Sequence, residues 1–377
     1  MTPRAESSAW PAALAGLAAL AVAMGIGRFA MTPILPMMQD QGVSLAQGGW
    51  LAAANYLGYL AGAISSISLR IDARLAIRGG LFAIGFSTLA MGVVDSFAAW
   101  LLLRALAGVA SAWVLVFVSF WTLEKLAVSG RPRLGGVLYA GVGSGIAIAG
   151  LTCLAIMQSQ GSAELAWVTL GAFALAISAA VWPVFSPPTA AAAVPPGETR
   201  PPSAWLLVAC YGAYGFGYVV PATFLPAMAR QIVPDPLAFG WAWPVFGVAA
   251  AASTLAAGKL GPSLGPRKVW IFCALVMACG VSAPLALPSL PGIMVSAVLV
   301  GATFVTITLA GMQEARRIFG AAARPVMAAM TSAFALGQLA GPLLIALVER
   351  LPYGVDLVLL AATASLLGSA AALSLRR

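Results

Sequence analysis

Twelve apolar runs, each about the 20 residues a helix needs to cross a bilayer, divide this chain from end to end. They fall at approximately 10–38, 45–68, 77–95, 97–123, 135–158 and 165–185, then 204–229, 237–257, 268–287, 290–313, 325–348 and 355–374. In lipid each backbone amide and carbonyl has to be satisfied within protein, and a helix does this inside its own segment. The runs therefore predict an all-α polytopic membrane protein. Composition agrees: 61% of residues are hydrophobic and 8% charged, against about 45–50% and 25% in soluble domains. The first run is too long for a signal-peptide core and is expected to remain as a span.

Between the sixth and seventh runs, residues 186–203 carry Pro187-Pro188, Pro195-Pro196, Pro201-Pro202 and an alanine run. Paired prolines remove amide donors and favour extended backbone, so this is a linker. It separates two six-helix bundles, 1–185 and 204–377. With the N-terminus inside, the inner segments hold sixteen Arg and Lys residues and the outer ones only Arg230 and Arg350. That asymmetry predicts cytoplasmic termini and a cytoplasmic linker. Trp10, Trp121, Trp182, Trp205 and Trp270 fall at the inner ends of the runs, and Trp50, Trp100, Trp167, Trp241 and Trp243 at the outer ends. Indole rings settle at headgroup level, which predicts two interfacial belts.

The same features exclude other classes. The net charge of +9 sits in short gaps between apolar runs, the pattern of membrane loops and not of a nucleic-acid surface. Histidine is absent and Cys153, Cys210, Cys273 and Cys279 all lie in apolar runs, so neither a metal site nor a disulfide framework is expected. Asn55, the only asparagine, begins no glycosylation triplet. The chain has no histidine to act as a base and no convergent carboxylate pair, which argues against an enzyme. The glycine-rich run from Tyr139 to Gly150 lacks the Gly-Lys-Ser/Thr ending of a phosphate loop, so no cofactor is predicted. Short loops leave little soluble surface for a receptor.

The halves repeat. Gly25-Ile26-Gly27-Arg28, followed by Ile34-Leu35-Pro36-x-Met38, matches Gly215-Phe216-Gly217-Tyr218, followed by Phe224-Leu225-Pro226-x-Met228. Arg131-Pro132 and Arg324-Pro325 likewise open the fifth and eleventh spans. Two parallel six-helix repeats are a transporter architecture with its binding site between the halves, near mid-membrane.

Local patterns agree with this. Arg104-x-x-x-Gly108, followed by Ala110, Ser111 and Ala112, resembles the fourth-span arginine motif of the major facilitator superfamily. Gly141-x-x-x-Gly145-Ile146-x-x-Ala149-Gly150 resembles the fifth-span glycine motif of its exporting antiporters, although Ile146 stands where that motif carries proline. Gly337-x-x-x-Gly341-Pro342 is a fuller copy. Gly258-x-Leu260 through Gly265-x-Arg267-Lys268 resembles the family's cytoplasmic loop motif with Pro262 in place of an acidic residue. The copy around Asp72, Arg74 and Arg78 is more degenerate. The stretches 25–30, 48–59 and 139–143 resemble the YbfB/YjiJ branch. The resemblance implies alternating access, a monomer, a bacterial inner membrane, and conformational roles for these glycine and loop-motif residues.

Two arginines stand inside spans. A lone Arg at the centre of a membrane helix costs about 2.5–3.5 kcal/mol on the lenient insertion scale, so Arg28 and Arg104 are expected to face a bundle interior or wet cavity. Their depths agree within about one helical turn, and a guanidinium fork suits carboxylate or phosphate. Each arginine has an architectural alternative, in which it binds backbone carbonyls. Asn55 and Tyr59 share a face of the second span, and Asn55 is expected to bond to Arg28 or to substrate. Tyr211, Tyr214 and Tyr218 form a stripe on the seventh span, with Tyr218 as the repeat partner of Arg28. Thr303, Thr306 and Gln338 are further candidates, the hydroxyls having their own backbone as the alternative partner.

No carboxylate lies mid-span. Asp40, Glu124 and Glu314 at helix ends are the groups left to serve a proton-coupled cycle. The expected function is a secondary transporter exporting a small organic anion or anionic amphiphile, coupled to protons or a counter-anion. The alternative within that class is a broad hydrophobic-drug antiporter.

Overall fold

A computed structural model describes residues 3–68, 71–185, 204–232, 241–348 and 353–375. The linker 186–203 lies outside the described residues, as do Asp235 and Arg350. All regular structure among the described residues is helical.

The first span is composite, with an α-helix Pro3–Leu20, a π-helical turn Ala21–Ile26, and a second α-helix Met31–Asp40. The next five spans are Leu45–Ser68, Ala73–Met91, Phe97–Val128, Gly135–Gln158 and Ala163–Val181. The second half follows with Trp205–Ile232, Ala242–Leu264, Pro266–Ala286, Leu290–Phe319, Ala323–Val348 and Gly354–Leu375. The sequence predicts a continuous first helix; the structure breaks it at the level of Arg28. The fourth and tenth helices run past their apolar ends at 123 and 313, to Val128 and Phe319.

The packing pairs repeat between halves. Spans 1–5, 2–4, 3–4 and 3–6 pack in the first half, as 7–11, 8–10, 9–10 and 9–12 do in the second. The halves meet where span 5 packs on span 8 and span 2 on span 11. Glycine makes these crossings close. Gly141 and Gly145 back onto the carbonyls of Leu17 and Ala21 in the first span. One face further round the same helix, Gly136, Gly143 and Gly150 abut Gly258, Gly247 and Pro244 of the eighth span. A side chain at Gly143 would meet backbone, so the two halves approach there as only glycine permits. Gly337 packs the same way on Gly212 and Gly215 of the seventh span, and Gly341 is buried; the side chain of Pro342 lies outside the described residues.

The loop-motif residues act at helix ends. Asp72 caps the third span by accepting the Arg74 amide at 2.7 Å, so its carboxylate serves a helix N-terminus. Arg78 Nε and Nη2 donate to the carbonyl of Trp182 at 3.0 and 2.6 Å, closing the sixth span. In the second half, Gly265 turns the chain with φ +82°, a left-handed value open to glycine. Arg267 Nε then donates to the carbonyl of Leu373 at 2.8 Å, closing the twelfth span as Arg78 closes the sixth. Cations at helix C-termini also complement the dipole.

On this arginine-rich face the halves are drawn together. Arg316 lies over Phe120 at 5.9 Å and Arg324 over Phe117 at 5.4 Å, each pair joining one half to the other. Beside them a cavity of about 350 Å³ is lined by Leu123, Leu126, Pro132, Pro266, Gln313 and Arg316, among others.

Candidate functional site

The π turn is where the site begins. Gly27 and Phe29 donate their amides to the carbonyls of Val22 and Met24, five residues back, and the ladder resumes with Ala30 to Ile26 and Ile34 to Ala30. This wider turn leaves backbone carbonyls without an amide donor. Three side chains take them up. Ser111 Oγ donates to Ala23 O at 2.7 Å. Arg104 donates from Nη1 to Gly27 O at 3.1 Å and from Nη2 to Arg28 O at 3.2 Å. Asn55 Nδ2 bridges Gly27 O at 3.4 Å and Arg104 O at 3.0 Å.

These bonds bear on two expectations. Asn55 bonds neither the Arg28 side chain nor open space but the carbonyls of Gly27 and Arg104. Arg104, 2% exposed, spends both terminal nitrogens on the first span's backbone, the architectural alternative. The two arginines do meet at one depth, as their positions predict, but by side chain to backbone.

The Arg28 side chain goes elsewhere. Its Nη2 donates to Gln338 Oε1 at 2.6 Å, a buried bond between the first and eleventh spans. Its guanidinium carbon lies 3.8 Å from the centre of the Tyr59 ring, with Tyr56 and Phe29 at 5.4 and 5.6 Å. A desolvated cation over an aromatic face gains about 2 kcal/mol. Yet Nε and Nη1 of Arg28 have no hydrogen-bond partner within the protein. Nor do Arg104 Nε, Gln338 Nε2, Asn55 Oδ1 and Tyr59 Oη, all buried, the last on the ring that lies against the Arg28 guanidinium. An unmet buried donor costs about 1–3 kcal/mol, more when charged. Arg28, Tyr59 and Gln338, three predicted site residues, thus converge with unused hydrogen-bonding capacity.

Aromatic rings adjoin them from both halves. Phe29 packs edge-on against Phe304 and Trp243, and Tyr218 stacks on Phe304 with centroids 5.0 Å apart. Phe334, one turn before Gln338, packs against Tyr214 and Tyr218. The predicted tyrosine stripe is therefore here, but Tyr214 donates its hydroxyl to Phe304 O and serves to fasten the seventh span to the tenth. Thr303 bonds its own helix at Leu299 O, and Thr306 bonds Ser253 Oγ. Sequence reasoning missed Phe29, Trp243, Phe304 and Phe334; an apolar ring in an apolar run carries no mark of what it faces.

The helix-end carboxylates stand apart from this layer. Glu314, fully buried, accepts a two-pronged bond from Arg317 at 2.8 Å for each contact. Among the described residues no cluster of metal-ligating side chains occurs. Eight helical segments among them are long and apolar enough to cross a bilayer, one of these, Pro291–Gly341, covering two spans, and Trp205–Val219 adds a shorter apolar helix.

A family model described as the uncharacterised MFS-type transporter YbfB matches residues 20–374. A 134-residue stretch is 34% identical to an uncharacterized MFS-type transporter, YceJ, of Bacillus subtilis (strain 168). That stretch is 34% of this chain and 31% of the relative, so the match spans about a third of the relative's length.

Proposed function

The chain belongs to the YbfB-type family of MFS transporters, and from that premise we propose that it carries a small organic anion bound at Arg28, between two rocking bundles. The bundles are 1–185 and 204–377, and transport runs outward across a bacterial inner membrane with both termini cytoplasmic. The observation that supports the anion is the state of Arg28, which is buried, cationic, held by one neutral amide, and left with two free nitrogens. Arg104 differs in that both its terminal nitrogens find backbone carbonyls and only Nε is left over. A carboxylate or phosphate oxygen would answer Nε or Nη1 of Arg28, with Tyr59 Oη and the Gln338 amide as neutral co-donors.

The position favours coupling to movement. Gln338 belongs to one bundle and Arg28 to the other, so an anion that competes with Gln338 for the guanidinium acts on a joint between them. Outward direction rests on the fifth-span glycine pattern, whose residues lie at the crossings with spans 1 and 8.

The test is binding of a panel of small carboxylates and phosphates to the full chain in lipid nanodiscs. Arg28→Ala is expected to lower affinity for the accepted anion at least about tenfold, or about 1.4 kcal/mol. Unchanged affinity in a folded Arg28→Ala protein removes the anion assignment.

A further inference from the structure

We propose that the cavity on the arginine-rich face holds one anionic phospholipid, its phosphate on Arg316 and part of an acyl chain against the apolar walls. The inference is independent of the anion assigned to Arg28.

The cavity lies at headgroup depth. Leu123 and Gln313, which line it, are the last residues of the fourth and tenth apolar runs, so its walls begin where the lipid tails end. Leu123, Leu126 and Pro132 come from one half, and Pro266, Gln313 and Arg316 from the other. Leu123 and Leu126 are buried, whereas Ala127, Pro132 and Arg317 are exposed, so an apolar floor lies behind an open rim. The volume, about 350 Å³, is at the small end of ligand sites, enough for part of one chain and not for a whole lipid.

Arg316 supplies the charge. Among the described residues its guanidinium has the Phe120 ring at 5.9 Å and the Glu124 carboxylate acting through space, but no hydrogen-bond acceptor. Its Nη1 is buried without a partner. Arg317 beside it differs, since Glu314 holds it in a two-pronged bond. A phosphate oxygen would give the Arg316 fork the acceptor that the protein withholds, with the Gln313 amide as a neutral donor alongside. A zwitterionic headgroup would bring its own cation against the arginines, so the site favours an anionic one. Basic pockets between membrane helices recognise anionic headgroups in this way.

Because both halves line the cavity, a lipid seated there stabilises the arrangement in which they meet on this face. The anionic lipid content of the bilayer then sets how readily the halves part.

The experiment places the full chain in phosphatidylcholine nanodiscs with a minor share of phosphatidylglycerol, and counts retained lipids by native mass spectrometry. Phosphatidylglycerol is expected to be retained at least about fivefold over its share of the bilayer. Arg316→Gln should bring retention down to that share. Ala127→Leu keeps the charge but narrows the cavity, and should lower retention at least about threefold. Arg133→Gln removes an exposed charge outside the cavity, and should leave retention within about twofold. Inorganic phosphate should fail to displace the lipid; full displacement identifies a plain anion site and overturns the proposal. Retention unchanged in Arg316→Gln or Ala127→Leu, or an equal loss in Arg133→Gln, overturns it too. If Arg316→Gln does not fold, Ala127→Leu against Arg133→Gln decides.

Discussion

Arg28 and Gln338, 310 positions apart in sequence, form a buried hydrogen bond of 2.6 Å between the first and eleventh spans. Its acceptor is an amide and not a carboxylate, which keeps the cation unneutralised. The bond is consequently strong enough to orient the guanidinium and weak enough to be displaced by a charged oxygen.

Replacing that acceptor by a carboxylate should close the site. Gln338→Glu supplies a permanent counter-charge, so anion binding is expected to fall at least about tenfold while thermal stability holds or rises. Melting temperature and anion affinity, measured on the same nanodisc preparation, check both halves of the expectation.

Arg104 should behave in the opposite way. Arg104→Met abandons the carbonyls of Gly27 and Arg28 in an apolar layer and is expected to cost about 2–4 kcal/mol of stability. Arg104→Lys should recover part of that loss. Affinity of the folded fraction for anion is expected to change less than about threefold, since both terminal nitrogens of Arg104 are already held by carbonyls. Thermal unfolding alongside binding separates the two effects; an anion affinity that collapses with the fold intact would place Arg104 in the site.

The glycine crossing between halves gives a matched pair of substitutions. A side chain at Gly143 runs into Gly247 O and the Ala251 amide, so Gly143→Leu is expected to destabilise by about 1–3 kcal/mol and to stop transport. Gly79, whose added Cβ meets nothing within 4 Å, provides the control. Gly79→Ala should be neutral or stabilising by up to about 1 kcal/mol.

Energisation can be checked through Glu314. Its carboxylate is committed to Arg317 in a bidentate bond, and it is not among the groups of the proposed anion site. Glu314→Gln is expected to leave anion exchange between two equal pools within about twofold of the parent chain, because exchange in this scheme moves no proton through a carboxylate. Loss of exchange with normal anion binding would assign Glu314 a step in the cycle.

Much of the scaffold was legible because lipid leaves a helix few alternatives. Apolar run length gave the spans, and Gly25-x-Gly27 and Gly215-x-Gly217 gave the repeat. What the repeat could not give is that one copy breaks and the other does not. The seventh span is helical from Trp205 to Ile232, whereas the first has a π turn at 21–26. The difference lies on a neighbouring element: the fourth span brings Arg104 and Ser111 to catch the freed carbonyls, and the tenth has arginine only near its end. Gln338 stood out as a polar residue in an apolar run, and it does meet Arg28. Trp167 and Trp270, expected in interfacial belts, are buried instead, against Arg104 and Tyr211. An indole ring covers apolar surface inside a bundle as readily as at a headgroup, and its distance from a helix end does not say which.

The widened turn at Ala21–Ile26 amounts to one extra residue threaded into an otherwise regular coil. Each residue advances an α-helix by about 100°, so everything downstream of the insertion is out of phase with what precedes it. Deleting a single residue there would let the coil close on its own amides and deprive Arg104 and Ser111 of the carbonyls they hold. The chemistry at mid-membrane is thereby set by a count of residues upstream of it, and a lineage could gain or lose it by one codon.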